Sequence, residues 1–474
     1  MKKTDDDDFF SFDAEMQSIA HRFEAFMDTL EESFFEEEDL IHLFEYYGMK
    51  NNWNRAEQVA DYGLKQNPYS ADFYVKKAQV AMATQNLPSA FDFLEQAEVF
   101  EPSSYEIYVA RATAYEMGED FELATENLFH ALTLADEDGK EMVYAALASM
   151  YIAKENYEQA IVYCKKALEL NPSNGEIIND LCFCYIELED APAGIQYFGQ
   201  MADENPRNDM AWFCLGSLYN FANEPHKALE AFDFSLVIID TNPFAWYYKG
   251  NAYLNLEQPE DALPCFEQAM NLDKTHYMFF CSVGVCYEKM EMPDKARPFY
   301  KKTTKMAPEA PDGWFGLAIC DLMEEEYETA IKNLMKAISI ENTNPDYWYN
   351  LGDAYYQINN NLEATNAFNR ALEIAPNHME ARIDLAFMMS ENDAVRLAIK
   401  LFEAGMEFHA ENAEYMYCYA AQLVEIGFEQ EGLNNLQIAL SLDYNQHDIL
   451  EDVSPIMMKN PKVLQLIAQY KENS

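Results

Sequence analysis

The chain has 474 residues, of which 49% are apolar and 14% aromatic, a composition that supports extensive burial and differs from that of disordered chains. It carries 83 acidic and 32 basic residues, a formal charge of −51. This imbalance argues against nucleic acids and anionic membrane surfaces as partners.

The first 36 residues combine an acidic tail with a predicted helix. The start, MKKTDDDDFF, lacks the apolar run of a signal peptide, and no later stretch is apolar for long enough to span a bilayer. We therefore expect a cytoplasmic protein without membrane insertion. After the aspartates, five apolar residues recur at helical spacing: Met16, Ile19, Phe23, Phe26 and Leu30. This stripe predicts a helix that either covers the end of the next structure or joins two copies as a homodimer.

Residues 345–376 show most clearly a pattern that the rest of the chain repeats. The first half places four residues on one face of a predicted helix: Trp348, Leu351, Gly352 and Tyr355. The second half repeats apolar residues at spacings of four and three: Ala364, Phe368 and Ala371. Pro376 follows, where a proline ends a helix. The segment therefore predicts two short helices.

This pattern, W-x2-L-G-x2-Y, then A-x3-F-x2-A, then P, resembles the tetratricopeptide repeat, whose period is about 34 residues. Windows of that length keep register over residues 37–446, with two inserted residues near 137–140. They start at residues 37, 71, 105, 141, 175, 209, 243, 277, 311, 345, 379 and 413. The resemblance implies an all-α, right-handed superhelical solenoid of about twelve helix-turn-helix repeats in one long domain. Residues 447–474 are expected to form C-terminal capping helices, the last over 461–470.

The chain has no visible catalytic or metal-binding motif. It lacks a glycine-rich phosphate loop, G-x-S-x-G and H-E-x-x-H, and its eight histidines are dispersed. Its nine cysteines are scattered and without C-x-x-C spacing, so we expect them in the core. We therefore expect no enzyme activity, no cofactor and no metal.

The resemblance also implies a concave groove lined by the first helix of each repeat. Carried over residue by residue, it nominates groove positions that are mostly aromatic or acidic: Phe213, Tyr247, Asn251, Asp312, Phe315, Asp346, Tyr349, Asp353, Tyr356 and Phe387, with Glu380, Ile383 and Glu414 in the last two repeats. Positive charge is almost lacking at these positions, Lys76 and Lys289 being isolated. Tyrosine rings beside carboxylates suit an extended segment that carries arginine or lysine. Alternatively, these aromatic rings pack against the second helix of their own repeat.

The sequence thus predicts a non-catalytic scaffold or adaptor that binds a protein or peptide in this groove. The alternative is a self-assembling structural solenoid, joined through the N-terminal amphipathic helix or through a basic island in the eighth repeat. That island comprises Lys289, Lys295, Arg297, Lys301, Lys302 and Lys305. Its simplest interpretation is a solvated outer face, and the second is a docking patch for an acidic partner.

Overall fold

The structure is a computed structural model that describes residues 18–27, 34–392 and 394–471. All regular secondary structure in these residues is helical. None of the described helices is long and apolar enough to cross a membrane. The chain divides into two compact units, Met1–Asp240 and Thr241–Ser474.

In the first unit, a helix over residues 18–27, which we call α1, precedes six helix pairs. Their bounds are α2 (Glu37–Met49), α3 (Trp53–Gln66), α4 (Ala71–Ala83), α5 (Leu87–Phe100), α6 (Tyr105–Met117), α7 (Phe121–Leu134), α8 (Glu137–Ala153), α9 (Tyr157–Leu170), α10 (Gly175–Glu187), α11 (Ala191–Glu204), α12 (Asp209–Phe221) and α13 (Pro225–Ile238). Each helix from α2 to α12 packs against the next helix of this unit, and from α4 to α12 the first helices of successive pairs also contact one another.

The second unit contains six further pairs and a C-terminal segment. The pairs are α14 (Pro243–Asn255), α15 (Pro259–Leu272), α16 (Tyr277–Lys289), α17 (Pro293–Met306), α18 (Asp312–Met323), α19 (Tyr327–Ile340), α20 (Pro345–Gln357), α21 (Asn361–Ile374), α22 (Met379–Glu391), α23 (Val395–His409), α24 (Ala413–Glu425) and α25 (Glu429–Leu442). The segment comprises two 3₁₀ turns, Tyr444–Asp448 and Met457–Lys459, and helices α26 (Ile449–Val453) and α27 (Pro461–Lys471). Each unit is therefore an all-α solenoid of consecutive helix pairs.

The helix starts follow the 34-residue register closely. The exceptions are α18, which begins one residue after the predicted start, and α8, which begins at Glu137 rather than at residue 141. The two inserted residues are absorbed into α8, which is 17 residues long. Its start is capped by Asp136, whose carboxylate accepts a hydrogen bond of 2.8 Å from the Gly139 N–H. The insertion thus lengthens a helix instead of forming a loop.

A small residue on the first helix makes room for an aromatic ring of the second helix. A Cβ atom at Gly352 would lie 2.6 Å from Cδ1 of Phe368, which is buried in the same repeat. The same pairing joins Gly250 to Phe266, where a Cβ atom would lie 2.7 Å from the ring. Close contact between the two helices of one repeat therefore explains the recurring glycine.

The tryptophan that recurs on the first helix also binds the backbone, because its indole N–H donates to a carbonyl that precedes the helix. Nε1 of Trp348 donates to the carbonyl of Asn342 at 3.0 Å, and Nε1 of Trp314 donates to the carbonyl of Pro308 at 3.1 Å. Each acceptor lies just beyond the end of the preceding repeat's second helix. The indole thus satisfies a backbone carbonyl that has no partner within a helix.

Eleven of the twelve repeats hold one described residue at positive φ in the turn between their two helices. In ten repeats φ lies between 54° and 60° although the residue is not glycine: Asn51, Gln85, Glu119, Glu155, Glu189, Asn223, Glu257, Glu291, Glu325 and Asn359. The twelfth repeat has Gly427 there, at φ 91°. Left-handed backbone costs a residue with a Cβ atom about 1 kcal/mol. These turns are therefore locally strained, a feature that the apolar pattern does not reveal.

Helix α1 packs on the first repeat. Phe23 is fully buried, with its ring centroid 5.6 Å from Phe35 and 6.0 Å from Tyr62. Phe26 also contacts Tyr62, at 4.8 Å. Over residues 18–27 the apolar stripe is therefore occupied within the chain, as a covering helix requires. Met16, Leu30 and the aspartates at positions 5 to 8 lie outside the described residues.

At the other end, α27 contributes Val463 and Ile467 to the core of the last repeat. Leu464, which the sequence placed on the same side, is 46% exposed. Eight of the nine cysteines are buried, and all nine are free thiols. Their environment is that of packing residues.

Candidate functional site

The last three repeats of the second unit surround a cavity of about 800 Å³. Helix α20 contributes Tyr349, and α26 contributes Ile449 and Val453. Helix α22 presents one face, on which the lining residues recur at helical spacing: Glu380, Ile383, Asp384, Phe387 and Glu391. Helix α24 does the same with Glu414, Cys418, Gln422 and Glu425. We call this space the acidic cavity.

The charge on its wall is entirely negative. Five carboxylates line the acidic cavity: Glu380, Asp384, Glu391, Glu414 and Glu425. No lysine, arginine or histidine is among the described residues that line it. The apolar part is formed by Ile383, Phe387, Ile449 and Val453. A ligand that fits this wall carries positive charge and some apolar surface.

Two tyrosine hydroxyl groups beside the cavity already donate to its carboxylates. Tyr349 donates to Oδ2 of Asp384 at 3.0 Å, and Tyr356 donates to Oε2 of Glu391 at 2.6 Å. Both bonds link α20 to α22. Their donor hydrogens are therefore occupied, while the carboxylates keep acceptor positions that these single bonds do not fill.

Asp384 is held in an unfavourable environment for a carboxylate. Burial raises its pKa from 3.8 to about 6, and the nearby carboxylates of Asp353 and Glu380 add to the shift. The hydrogen bond from Tyr349 and the proximity of His378 oppose it without cancelling it. Burial, followed by the charge of Asp384, likewise raises the pKa of Tyr349. A cation beside Asp384 would relieve this cost.

Gln422 adds an unused acceptor. The side chain is 1% exposed, and Nε2 donates to Oγ of Ser390 at 2.9 Å. Its other polar atom, Oε1, is buried and has no hydrogen-bond partner among the described residues. Leaving a buried acceptor unsatisfied costs about 1–3 kcal/mol. An N–H group of a bound ligand would satisfy it.

A second cavity, of about 700 Å³, shares Tyr349 and Glu380 with the first. Its lining also includes Phe315, Asp346 and His378. Nδ1 of His378 accepts from the N–H of Ala381 at 3.3 Å, and Nε2 lies 3.3 Å from Oδ1 of Asp346. The shared residues extend the acidic surface from the last repeats towards the ninth.

Seven of the groove residues predicted from the sequence line these two cavities: Phe315, Asp346, Tyr349, Glu380, Ile383, Phe387 and Glu414. Tyr356 reaches the acidic cavity indirectly, through its bond to Glu391. Asp312 is exposed and outside both, and Asp353 accepts a hydrogen bond of 3.1 Å from Gln357.

The remaining three predicted residues are placed in packing environments. Tyr247 lies 5.7 Å from Phe266 and 5.4 Å from Phe279, and its hydroxyl is hydrogen-bonded with the side chain of Asn251. Phe213, in the first unit, is 7% exposed and packs against Phe232 of its own repeat at 6.1 Å. At these positions the aromatic rings follow the alternative interpretation, in which they form the repeat core.

The sequence analysis missed four polar residues of the acidic cavity: Asp384, Glu391, Gln422 and Glu425. The positions carried over from the resemblance are a subset of one helix face. Asp384 lies four residues after Glu380, and Glu391 four after Phe387, so the spacing could have extended the set. Ile449 and Val453 carry no such signal, because α26 lies outside the repeats.

Comparison with known families agrees with the register. Tetratricopeptide repeat profiles match residues 142–174, 243–276 and 345–378, and a TPR repeat profile matches residues 324–359. Two of these stretches coincide with predicted windows, those starting at residues 243 and 345. The chain thus contains tetratricopeptide repeats (TPRs). Such repeat arrays are scaffolds for protein–protein interaction, and TPR proteins bind proteins or peptides.

Among characterised proteins, this TPR chain is similar to BBSome complex member BBS4 of Bos taurus. The two are 24% identical over 152 residues, which make up 32% of this chain and 29% of that protein. Tetratricopeptide repeat-containing protein trd-1 of Caenorhabditis elegans is 22% identical over 148 residues, 31% of this chain and 18% of that protein. The similarity thus spans less than a third of either relative.

Among solved structures, the chain is similar to the crystal structure of the APC/C hetero-tetramer Cut9-Hcn1. The sequence identity is 14% and the TM-score 0.47, over 90% of this chain and 94% of that one.

Proposed function

We propose that this TPR protein is a non-catalytic cytoplasmic scaffold that holds an extended basic segment of another protein in the acidic cavity. The observation that supports this most directly is that the cavity's charged groups are all acceptors. Its wall offers five carboxylates and the free Oε1 of Gln422, while the neighbouring tyrosine hydroxyls are already used. A bound segment must therefore supply the N–H donors.

An arginine or lysine side chain matches this wall well. A guanidinium group donates in a planar fork to a carboxylate such as Asp384, and its charge offsets the burial that raises the pKa of that group to about 6. The apolar stem of the side chain packs on Ile383 or Phe387, which line the same wall. A backbone N–H of the extended segment completes the site at Gln422.

The proposal is tested by fluorescence anisotropy with the full chain and a labelled peptide of alternating arginine and leucine. A matched peptide with citrulline in place of arginine keeps the size and removes the charge. A chain of charge −51 attracts any cationic peptide non-specifically. The titration is therefore done at about 0.15 M salt, which screens this attraction beyond about 8 Å. We expect one arginine peptide per chain and at least tenfold weaker binding of the citrulline peptide.

Variants locate the site. Asp384→Asn and Gln422→Leu should each weaken binding about tenfold, equivalent to about 1.4 kcal/mol. Asp312→Asn is the control, because it removes one exposed acidic charge of the same unit outside both cavities. Equal affinity for the two peptides, or equal losses in all three variants, would show non-specific attraction and contradict the proposal.

A further inference from the structure

The outer helices of the eighth and ninth repeats carry a dense group of lysines. Helix α17 presents four exposed lysines and α19 two, and we call this surface the lysine face: Lys295, Lys301, Lys302, Lys305, Lys332 and Lys336. With Arg297, these two helices hold 7 of the chain's 32 basic residues. They hold only 2 of its 83 acidic residues, Asp294 and Glu328. The lysine face is therefore positive on a strongly negative chain.

A hydrogen-bonded bridge through Asp321 of α18 connects the two helices. Arg297 of α17 binds Oδ1 of the buried Asp321, and Nδ2 of Asn333 on α19 donates to Oδ2 of the same carboxylate at 2.7 Å. Residue 297 thus lies next to residue 333. Lys301 and Lys336 follow these residues by one helical turn on helices that occupy equivalent places in successive repeats. The lysines therefore form adjacent rows instead of scattered single charges.

These lysines have no acidic partner within the described residues. None of the six forms an ion pair there, whereas Arg297 is paired with both Asp321 and Glu324. Lys302 lies over the ring of Phe280 at 5.8 Å and Lys336 over Trp314 at 5.9 Å, contacts that leave the ammonium groups accessible. Like charges gathered without counter-charges repel one another, so an acidic segment bound across both rows would be favourable.

We propose that the lysine face binds the aspartates at positions 5 to 8 of a second copy of this chain. Four consecutive acidic residues match the two rows of lysines, and Phe9 and Phe10 follow them directly. Met335, on α19 between Lys332 and Lys336, is 54% exposed and offers an apolar contact for these rings. The apolar stripe of α1 is occupied by its own first repeat, so it does not provide the joint between copies.

Net charge sets the conditions under which this contact forms. Two chains of charge −51 repel each other, but salt at about 0.15 M screens that repulsion beyond about 8 Å. Contacting lysine and aspartate groups lie well inside this distance. Exposed ion pairs are individually weak, so the association is reversible and depends on protein concentration.

Sedimentation equilibrium of the full chain at this salt concentration tests the proposal. Lys301→Glu, Lys305→Glu and Lys332→Glu are combined in one variant, since the side chains of these lysines form no hydrogen bond, ion pair or cation–π contact within the described residues. The control combines Lys65→Glu, Lys274→Glu and Lys400→Glu, three exposed lysines elsewhere, and has the same net charge. We expect the first variant to weaken self-association at least tenfold more than the control does. Helix content by circular dichroism should be unchanged in both.

The role of the acidic segment is tested by substituting its own four aspartates. Changing all four residues (Asp5→Asn, Asp6→Asn, Asp7→Asn and Asp8→Asn) should weaken self-association as much as reversing the lysines. Placing lysine at these four positions in the chain with reversed lysines should restore it. A wild-type chain that stays monomeric, or equal effects of the two lysine variants, would overturn the proposal. If reversing the lysines weakens self-association but changing the aspartates does not, the lysine face binds a different acidic surface. That result would overturn the assignment to positions 5 to 8.

Discussion

Replacing Asp384 by asparagine tests whether the buried charge of this carboxylate in the acidic cavity destabilises the folded chain. The pKa of this carboxyl rises from 3.8 to about 6 on folding. The folded chain therefore binds this proton more tightly than the unfolded chain. Because of this carboxyl, the folded chain is more stable at low pH, and this stability is lost as pH rises from 3.8 through 6. The shift corresponds to a loss of about 3 kcal/mol, which we reduce to about 2 kcal/mol because the group keeps some contact with water.

Asparagine has the same shape and still accepts the hydrogen bond from Tyr349, but it carries no charge. We therefore expect Asp384→Asn to leave stability unchanged near pH 4 and to raise it by about 2 kcal/mol near pH 7.5. Because repeat arrays unfold piece by piece, a single melting temperature does not measure this change. Native-state hydrogen exchange of amides in α20 and α22 does, after correction for the intrinsic pH dependence of exchange.

Asp312→Asn serves as the control, since it removes an exposed carboxylate of the same unit. Its exchange in α20 and α22 should match that of the wild type at both pH values. If Asp384→Asn speeds exchange near pH 7.5, or if its effect is the same at both pH values, the environment assigned to Asp384 is wrong. The same variant is expected to bind the arginine peptide less tightly, so stability and binding should change in opposite directions.

Two further predictions concern the repeats themselves. Gly352→Trp should destabilise its part of the array by more than about 3 kcal/mol, because even a Cβ atom there would lie 2.6 Å from Phe368; unchanged thermal unfolding and helix content would contradict the register. Glu291→Gly should stabilise its turn by about 0.5–1 kcal/mol by removing the cost of φ 59°. Glu291→Ala is the control, since it shortens the side chain and keeps the strain. The measurement is native-state hydrogen exchange of amides in α16 and α17, and equal protection in the two variants would argue against strain at this turn.

The repeat register could be derived from the sequence because its cause is local. Each helix of about 13 residues must bury one apolar face, and the spacing of residues such as Trp348, Leu351 and Phe368 records that face directly. The resemblance built on that spacing nominated Tyr349 and Phe387 as groove residues, and both line the acidic cavity. The division into two units and the strained turns left no comparable pattern.

Which groove residues remain available to a ligand was decided by their neighbours. Tyr247 and Tyr349 occupy the same position in their repeats, yet the first packs against Phe279 of the next repeat while the second lines the acidic cavity. The pKa of Asp384 and the free acceptor of Gln422 likewise depend on burial created by several helices together. Helical periodicity therefore determined the repeats and the candidate face, because it depends on neighbours along the chain. Burial of individual side chains depends on neighbours in space, and only the tertiary structure could decide it.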